Sequence, residues 1–200
     1  NPPAEELLDL CDHYGVLVWD ECFDKWDHTA DRVGPQSPDH RTHAERHLGA
    51  MVRRDRNHPS VFCWSIGNEL SADAEGLTPA RVKMMREMVL SYDPTRPVGM
   101  GCHIPEYSDS GMFDSLDFTG WNYARRYERF HSRRPDKPII YSESASAIST
   151  RGFYELPLPV DKVDYSKDFQ VDSYDFNAAP WSDIADREFA LMEQDRFVAG

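Results

Sequence analysis

Three stretches of this chain are apolar almost without interruption, and each runs into acidic residues. They are Val16-Leu17-Val18-Trp19 before Asp20-Glu21, Val61-Phe62-Cys63-Trp64-Ser65-Ile66 before Gly67-Asn68-Glu69, and Pro138-Ile139-Ile140-Tyr141 before Ser142-Glu143. A strand with one wet face alternates apolar and polar residues. A strand apolar at consecutive positions is covered on both faces, the pattern of a parallel sheet flanked by helices. The segments between supply those helices. Leu7, Leu10, Cys11 and Tyr14 share one helical face after Pro2-Pro3, with Glu5 and Glu6 at the positive end of the helix dipole and Gly15 as the stop. Leu48, Met51 and Val52 mark a helix over about 41–56, closed by Asn57-His58-Pro59. Val82, Met85 and Val89 mark another over about 78–91, closed by Asp93-Pro94-Thr95-Arg96-Pro97. Val98 to Cys102 reads as a short strand, and Asp117 to Tyr123 as a further one leading into a basic helix over about 124–134. A last helix is expected over about 183–197, with Ile184, Phe189, Met192 and Phe197 as its apolar stripe.

Five strands alternating with helices place the chain in the α/β class, with polar strand ends where chemistry gathers. An open doubly wound sheet would fit the alternation, but no G-x-G-x-x-G turn and no P-loop is present. A (β/α)8 barrel takes about 250 residues. Five units in 200 residues therefore predict a partial TIM barrel, cut at both ends.

Charge narrows the partners. The chain carries 22 Lys and Arg against 35 Asp and Glu, a formal net charge of −13, with no basic stripe, so it repels phosphate backbones and nucleic acid is not an expected partner. No apolar run approaches the roughly 18 residues of a membrane-spanning helix, and Asn-Pro-Pro-Ala-Glu-Glu lacks the basic start and apolar stretch of a signal peptide. Cys11, Cys22, Cys63 and Cys102 form no C-x-x-C pair and read as buried free thiols. That leans toward a reducing compartment, and leaves cytoplasm and periplasm both open.

Glu69 and Glu143, 74 positions apart, each end an apolar strand. If their strands lie three units apart, each unit averages about 25 residues, somewhat short for a barrel. Two carboxyls meeting across a barrel mouth suit glycoside cleavage, where one protonates the leaving oxygen and the other attacks or stabilises the anomeric carbon. A single Glu at a strand end is more often a solvated residue or half of an ion pair. An Asn-Glu after a buried strand, followed by a second strand-end Glu, departs from that.

Arg53-Arg54-Asp55-Arg56-Asn57-His58-Pro59-Ser60-Val61 followed by Trp64-Ser65-Ile66-Gly67-Asn68-Glu69 closely resembles the acid/base segment of glycoside hydrolase family 2. Leu8-Asp9-Leu10-Cys11-Asp12 through Asp20-Glu21 resembles the preceding unit of that family, Tyr92 to Val98 the following one, and Pro138 to Glu143 the strand of its nucleophile. The likeness runs to about residue 155 and again over the last helix. It implies a retaining exo-β-glycosidase on a (β/α)8 barrel, with Glu69 as general acid/base after the fourth strand and Glu143 as nucleophile after the seventh. The chain would then span strands three to seven, and the rest of the same polypeptide would bring the other strands and β-sandwich domains. Residues 1–200 alone would have open sheet edges and would be inactive.

By the same resemblance, Asn68 would bind the sugar 2-hydroxyl and Tyr123, in Trp121-Asn122-Tyr123-Ala124-Arg125, would hydrogen-bond the nucleophile. Asp20 and Glu21 would face the same mouth. Some relatives hold Mg²⁺ with this Glu and a His two residues on; Phe23 stands there, so no metal or other cofactor is expected. Trp19 and Trp64 read as core, His58 as a turn residue, and Arg53, Arg54 and Arg56 as outer ion pairs. Residues 148–183, rich in Asp and interleaved with Tyr165, Phe169, Tyr174, Phe176 and Trp181, form a long insertion that would either stack on a sugar or pack against another domain. It lacks the spacing of an EF-hand calcium loop.

The segment Ser65-Ile66-Gly67-Asn68-Glu69 resembles the galactosidase branch. Glucuronidases tend to show Asn-Glu-Pro, where Leu70 stands, and mannosidases Asn-Asn-Glu, where Gly67-Asn68 stands. A terminal β-D-galactoside or oligosaccharide is the expected substrate, with β-glucuronide and β-mannoside as alternatives. A non-catalytic carbohydrate-binding barrel is the reading from another class; loss of either carboxylate would mark it, and both are present. A homo-oligomer stays open.

Overall fold

A computed structural model describes residues 2–26, 40–73, 76–144 and 184–199. The expected 148–183 insertion lies outside the described residues. Helix α1 (Glu5–Tyr14) leads to strand β1 (Val18–Glu21), α2 (His40–Asp55) to β2 (Val61–Asn68), and α3 (Pro79–Tyr92) to β3 (Val98–Cys102). A 3-10 turn at Pro105–Asp109 precedes β4 (Thr119–Asn122); α4 (Tyr127–Arg133), β5 (Ile139–Glu143) and α5 (Ile184–Met192) follow.

All four strand pairs are parallel and the sheet order is β1-β2-β3-β4-β5. Each crossover steps one place the same way. A doubly wound sheet reverses its strand order at a switch point; this one never does, which is barrel winding. The sheet also curls. The Trp19 ring of β1 reaches Gly120 of β4, and it meets Phe118 edge-on with centroids 5.0 Å apart. A Cβ on Gly120 would overlap that indole, so the bare backbone there lets the interior fill. The chain is thus an α/β partial TIM barrel.

The outer layer follows the periodicity at most helices. Leu48, Met51 and Val52 of α2, and Val82, Met85 and Val89 of α3, are buried against the sheet. The four cysteines are buried and free. Among the described residues, no helix is long and apolar enough to cross a membrane.

Two helix faces differ from the sequence reading. In α1 the buried residues are Leu8 and Cys11, while Leu7, Leu10 and Tyr14 are exposed, because α1 contacts the rest of the described fold along a narrower stripe centred on Leu8. In α5, which ends at Met192, Phe189 is exposed and Glu188 is buried, and Asp195 just beyond the helix is buried too. Both acids are paired with polar groups beneath them, while Met192 and Phe197 pack against the core as expected, so the inward side is mixed and Phe189 leaves the stripe.

Asp20 is a further correction. Trp19 and Glu21 line the barrel mouth, and strand alternation turns Asp20 the other way, to the helix side. There it is 1% exposed and faces Asp55 of α2, which Arg54 holds at 2.5 and 2.8 Å. Among the described residues neither Asp20 oxygen meets a donor, so nothing there stabilises its charged form and this buried carboxyl favours the neutral one. Burial first, and then Asp55, push the Asp20 carboxyl up to about 7. The folded state therefore keeps a proton that the unfolded chain, with an ordinary value of 3.8, has released. This contribution to stability is complete below about pH 4 and is lost as the pH rises through 7. Asp20→Asn, which cannot titrate, is expected to narrow the stability loss between pH 5 and pH 8. Urea midpoints of both proteins at the two pH values check this, and an unchanged gap would rule out the raised Asp20 carboxyl.

Candidate active site

The carboxyl ends of β2, β3, β4 and β5 meet around one side chain, the amide of Asn122. It is fully buried at the end of β4. Its Nδ2 lies 3.0 Å from Glu69 Oε1, 2.9 Å from Glu143 Oε1 and 2.9 Å from Asn68 Oδ1. Its Oδ1 accepts from Ser142 Oγ at 2.7 Å, which fixes the amide orientation. Two carboxylate oxygens that both touch one nitrogen cannot stand farther apart than the two contacts laid end to end, about 6 Å.

Glu69 arrives there through its backbone. At φ 49° it takes the left-handed conformation, rare for a residue with a Cβ, and its N–H donates to Gly101 O of β3 at 3.0 Å. Strain of this kind gathers at functional sites. His103 Nδ1, just past β3, is 3.5 Å from Glu69 Oε1.

Glu143 ends β5 and collects three donors. Oε1 accepts from Asn122 at 2.9 Å and from Asn68 Nδ2 at 3.2 Å; Oε2 accepts from the Tyr123 hydroxyl. That bond, and secondarily burial, pushes the Tyr123 phenol far up, so it stays a neutral donor. Asn68 also donates to Asp24 Oδ1 at 3.1 Å. Its side chain passes over Gly101, where a Cβ would collide with the amide oxygen. The loop after β1 locks this end of β2: Lys25 Nζ donates to Asn68 O at 2.7 Å and Trp26 Nε1 to Ile66 O at 2.8 Å.

A cleft of about 290 Å³ opens beside these groups, lined by Trp19, Glu21, Ser65, Asn68, Gly101, Ser142 and Glu143. Glu21 accepts from Ser65 Oγ at 2.5 Å, and burial outweighs that bond to hold its carboxyl above the usual range. Phe23 supplies no ligand atom beside it, so these two residues do not make a divalent-cation site. Among the described residues, the one group whose donor atoms could surround a metal is Asp9, Asp12 and His58. There Asp12 is already tied to Ser60 N at 2.8 Å and His58 Nδ1 at 2.7 Å, fastening α1 to the start of β2.

Of the residues singled out from sequence, Glu69, Glu143, Asn68, Tyr123 and Glu21 converge on this mouth, and Asp20 does not. Trp64 is core, as read, with Nε1 on Asp93 at 3.0 Å; Trp19 instead forms part of the cleft wall. Sequence reasoning assigned no role to Asn122, Asp24, Ser65 or His103. For Asn122 a signal existed: it is a polar residue closing a buried strand, as Asn68 is.

The family model for glycosyl hydrolases family 2, TIM barrel domain, matches residues 1–175. A beta-galactosidase of Bacteroides ovatus is 35% identical over an alignment covering all of this chain and 28% of that protein. The human beta-glucuronidase is 29% identical, covering 83% of this chain and 27% of its own. Among solved structures, a glycosyl hydrolase family 2 member from Bacteroides cellulosilyticus superposes with a TM-score of 0.59 at 37% identity, covering 72% of this chain and 19% of that one. A Bacteroides uniformis beta-glucuronidase, at 22% identity and a TM-score of 0.72, shares the fold over the whole chain and 25% of its own length. The chain thus spans under a third of each of these relatives.

Proposed function

The chain belongs to glycosyl hydrolase family 2, and from that premise we propose that it forms the central part, strands three to seven, of the catalytic barrel of a retaining exo-β-glycosidase acting on terminal β-D-galactosides. The observation that carries this reading is the single amide of Asn122 touching both Glu69 and Glu143. Retaining enzymes place their carboxyls about 5–5.5 Å apart and inverting ones about 6.5–9.5 Å, to admit a water. Nearest carboxylate oxygens within about 6 Å of one another favour the retaining spacing over the inverting one.

In the proposed mechanism Glu143 attacks the anomeric carbon while Glu69 gives its proton to the departing oxygen. A covalent glycosyl-enzyme forms and the aglycone leaves. Glu69, now a carboxylate, takes a proton from water, and the water displaces Glu143 with configuration restored. Tyr123, Asn68 and Asn122 hold the Glu143 carboxylate in one orientation, and Asn68 is placed to meet a 2-hydroxyl.

A neutral sugar is supported by the charges at the mouth. Glu21, Asp24, Glu69 and Glu143 surround it. Among the described residues, the basic side chains that flank it in sequence are engaged elsewhere: Lys25 and Arg126 on the backbone carbonyls of Asn68 and His103, and Arg125 on Asp195. A uronate carboxylate would meet repulsion there. β-Glucuronide is the second reading, because relatives so named align over most of the chain.

The test treats the intact protein with a 2-deoxy-2-fluoro-β-galactosyl inactivator and locates the adduct by peptide mass spectrometry. Label on Glu143 is expected. Label only from the glucuronyl or mannosyl analogue would replace galactose, label on another residue would remove Glu143 from its role, and silence from all would leave a non-catalytic carbohydrate-binding barrel.

A further inference from the structure

Between β4 and α4 the chain does something costly. Tyr123, Ala124 and Arg125 stand in succession at φ 61°, 50° and 50°, three left-handed residues in a row and none of them glycine. Such a turn persists only where its surroundings over-determine it. Its first residue is the tyrosine whose hydroxyl bonds Glu143, so whatever holds the turn holds that hydroxyl.

Tyr123 N donates to Glu143 O at 2.6 Å, and the side-chain fastening of the turn comes from farther downstream. Arg125 Nε and Nη2 donate in parallel to both oxygens of Asp195, at 2.8 and 2.9 Å. Tyr127 Oη donates to Asp195 Oδ2 at 2.7 Å from a fully buried ring. Arg125 N donates to Tyr141 Oη at 3.0 Å, and that hydroxyl donates to Glu188 of α5 at 2.7 Å. Asp195 and Glu188 are 8% and 7% exposed. Neither sits there as an unpaired buried charge; each is matched to a donor from the turn or from β5. The same terminal segment runs on beside β5, with Ala199 N on Ile139 O at 2.7 Å and Phe197 edge-on to Tyr127. Arg125 also meets Glu128 at 2.9 Å, but Glu128 lies on the adjoining helix and is exposed, so it adds no anchor from outside the turn.

We propose that Asp195 is a positioning residue: through its paired bonds to Arg125 it locks the left-handed 123–125 turn and thereby keeps the Tyr123 hydroxyl on Glu143. This rests on the reading of Glu143 as the nucleophile. The lock acts on the reacting carboxylate from a residue about 50 positions downstream of it, just past the end of α5.

A double-mutant cycle in the intact enzyme separates positioning from simple stability. Asp195→Asn keeps the volume and removes the charge that orients Arg125. It is expected to lower kcat for an aryl β-galactoside by about 10- to 100-fold with KM changed less than threefold, and to slow labelling by the fluorosugar in parallel. In the Tyr123→Phe background, where no hydroxyl remains to misplace, the same substitution is expected to lower kcat less than twofold. Asp195→Glu, which keeps the charge, is expected to restore part of the loss. If Asp195→Asn does not fold, Tyr127→Phe removes one bond to the same carboxylate and enters the cycle in its place. Equal losses in both backgrounds, or no loss in either, would overturn the proposal. Failure of wild type to label at Glu143 would instead strike the underlying assignment, so the two failures are told apart.

Discussion

Glu143→Gly is expected to lower kcat on aryl β-D-galactosides by on the order of 10⁴-fold or more, roughly 5–6 kcal/mol of transition-state stabilisation. The size follows from what is removed. Without the carboxylate no covalent intermediate forms, and the developing oxocarbenium loses the negative charge that three donors, Asn68, Asn122 and Tyr123, hold beneath it. The substitution also leaves those donors facing an empty slot of anion-binding geometry. Azide should occupy it and attack a substrate with a good leaving group from the face that Glu143 used. The product is then an α-galactosyl azide, inverted relative to the substrate. Proton NMR of the anomeric signal reads this directly. Unchanged activity, or rescue with retention, would remove Glu143 from the nucleophile's place.

The prediction depends on a geometry only partly written in the sequence. The strands were legible because their apolar residues are consecutive, a signal that survives ignorance of everything around it. Their ends were less so. Residues 16 and 17 read as strand, yet β1 begins at Val18: Gly15 caps α1 in the left-handed region and Val16 N still bonds Cys11 O, so two apolar residues are used up leaving the helix. The helix expected from residue 124 begins at Tyr127, because 123–125 form the left-handed turn. No propensity foretells three such residues without glycine; the groups that hold them, Tyr141, Glu143 and Asp195, are all distant in sequence.

The same limit governs the site. Glu69 and Glu143 were legible as strand-end acids backed by a long specific motif. Asp20 was misplaced although alternation alone separates it from Glu21, since neighbours on one strand cannot both face the mouth. The inward side of α5 is only half legible: Met192 and Phe197 pack inward as the periodicity predicts, but Glu188 and Asp195 join them because of partners some 50 to 70 positions away. Asn122 carries no motif of its own. Its role exists only where β2, β4 and β5 bring three acceptors to one amide.

The second large effect is expected at Glu69, and it should depend on the leaving group. Glu69→Ala removes a proton donor that a poor leaving group needs, so alkyl β-galactosides should lose on the order of 10²–10⁴-fold in kcat/KM. A 2,4-dinitrophenolate departs without a proton. For that substrate the first step is nearly spared while the second, in which Glu69 activates water, is slowed; the glycosyl-enzyme should accumulate and both kcat and KM should fall together. Azide needs no base to attack. It should therefore restore kcat on the dinitrophenyl substrate and give the β-galactosyl azide, because it enters from the face on which Glu69 stands and displaces Glu143 from the other. Opposite anomers from Glu69→Ala and Glu143→Gly would fix the two carboxyls on opposite faces of the sugar, which the Asn122 bridge alone cannot do. A loss at Glu69→Ala that is equal for alkyl and dinitrophenyl substrates, with no rescue by azide, would mean that Glu69 supports the site without transferring the proton. His103, 3.5 Å from the same carboxyl oxygen, would then be the next group to test as the acid.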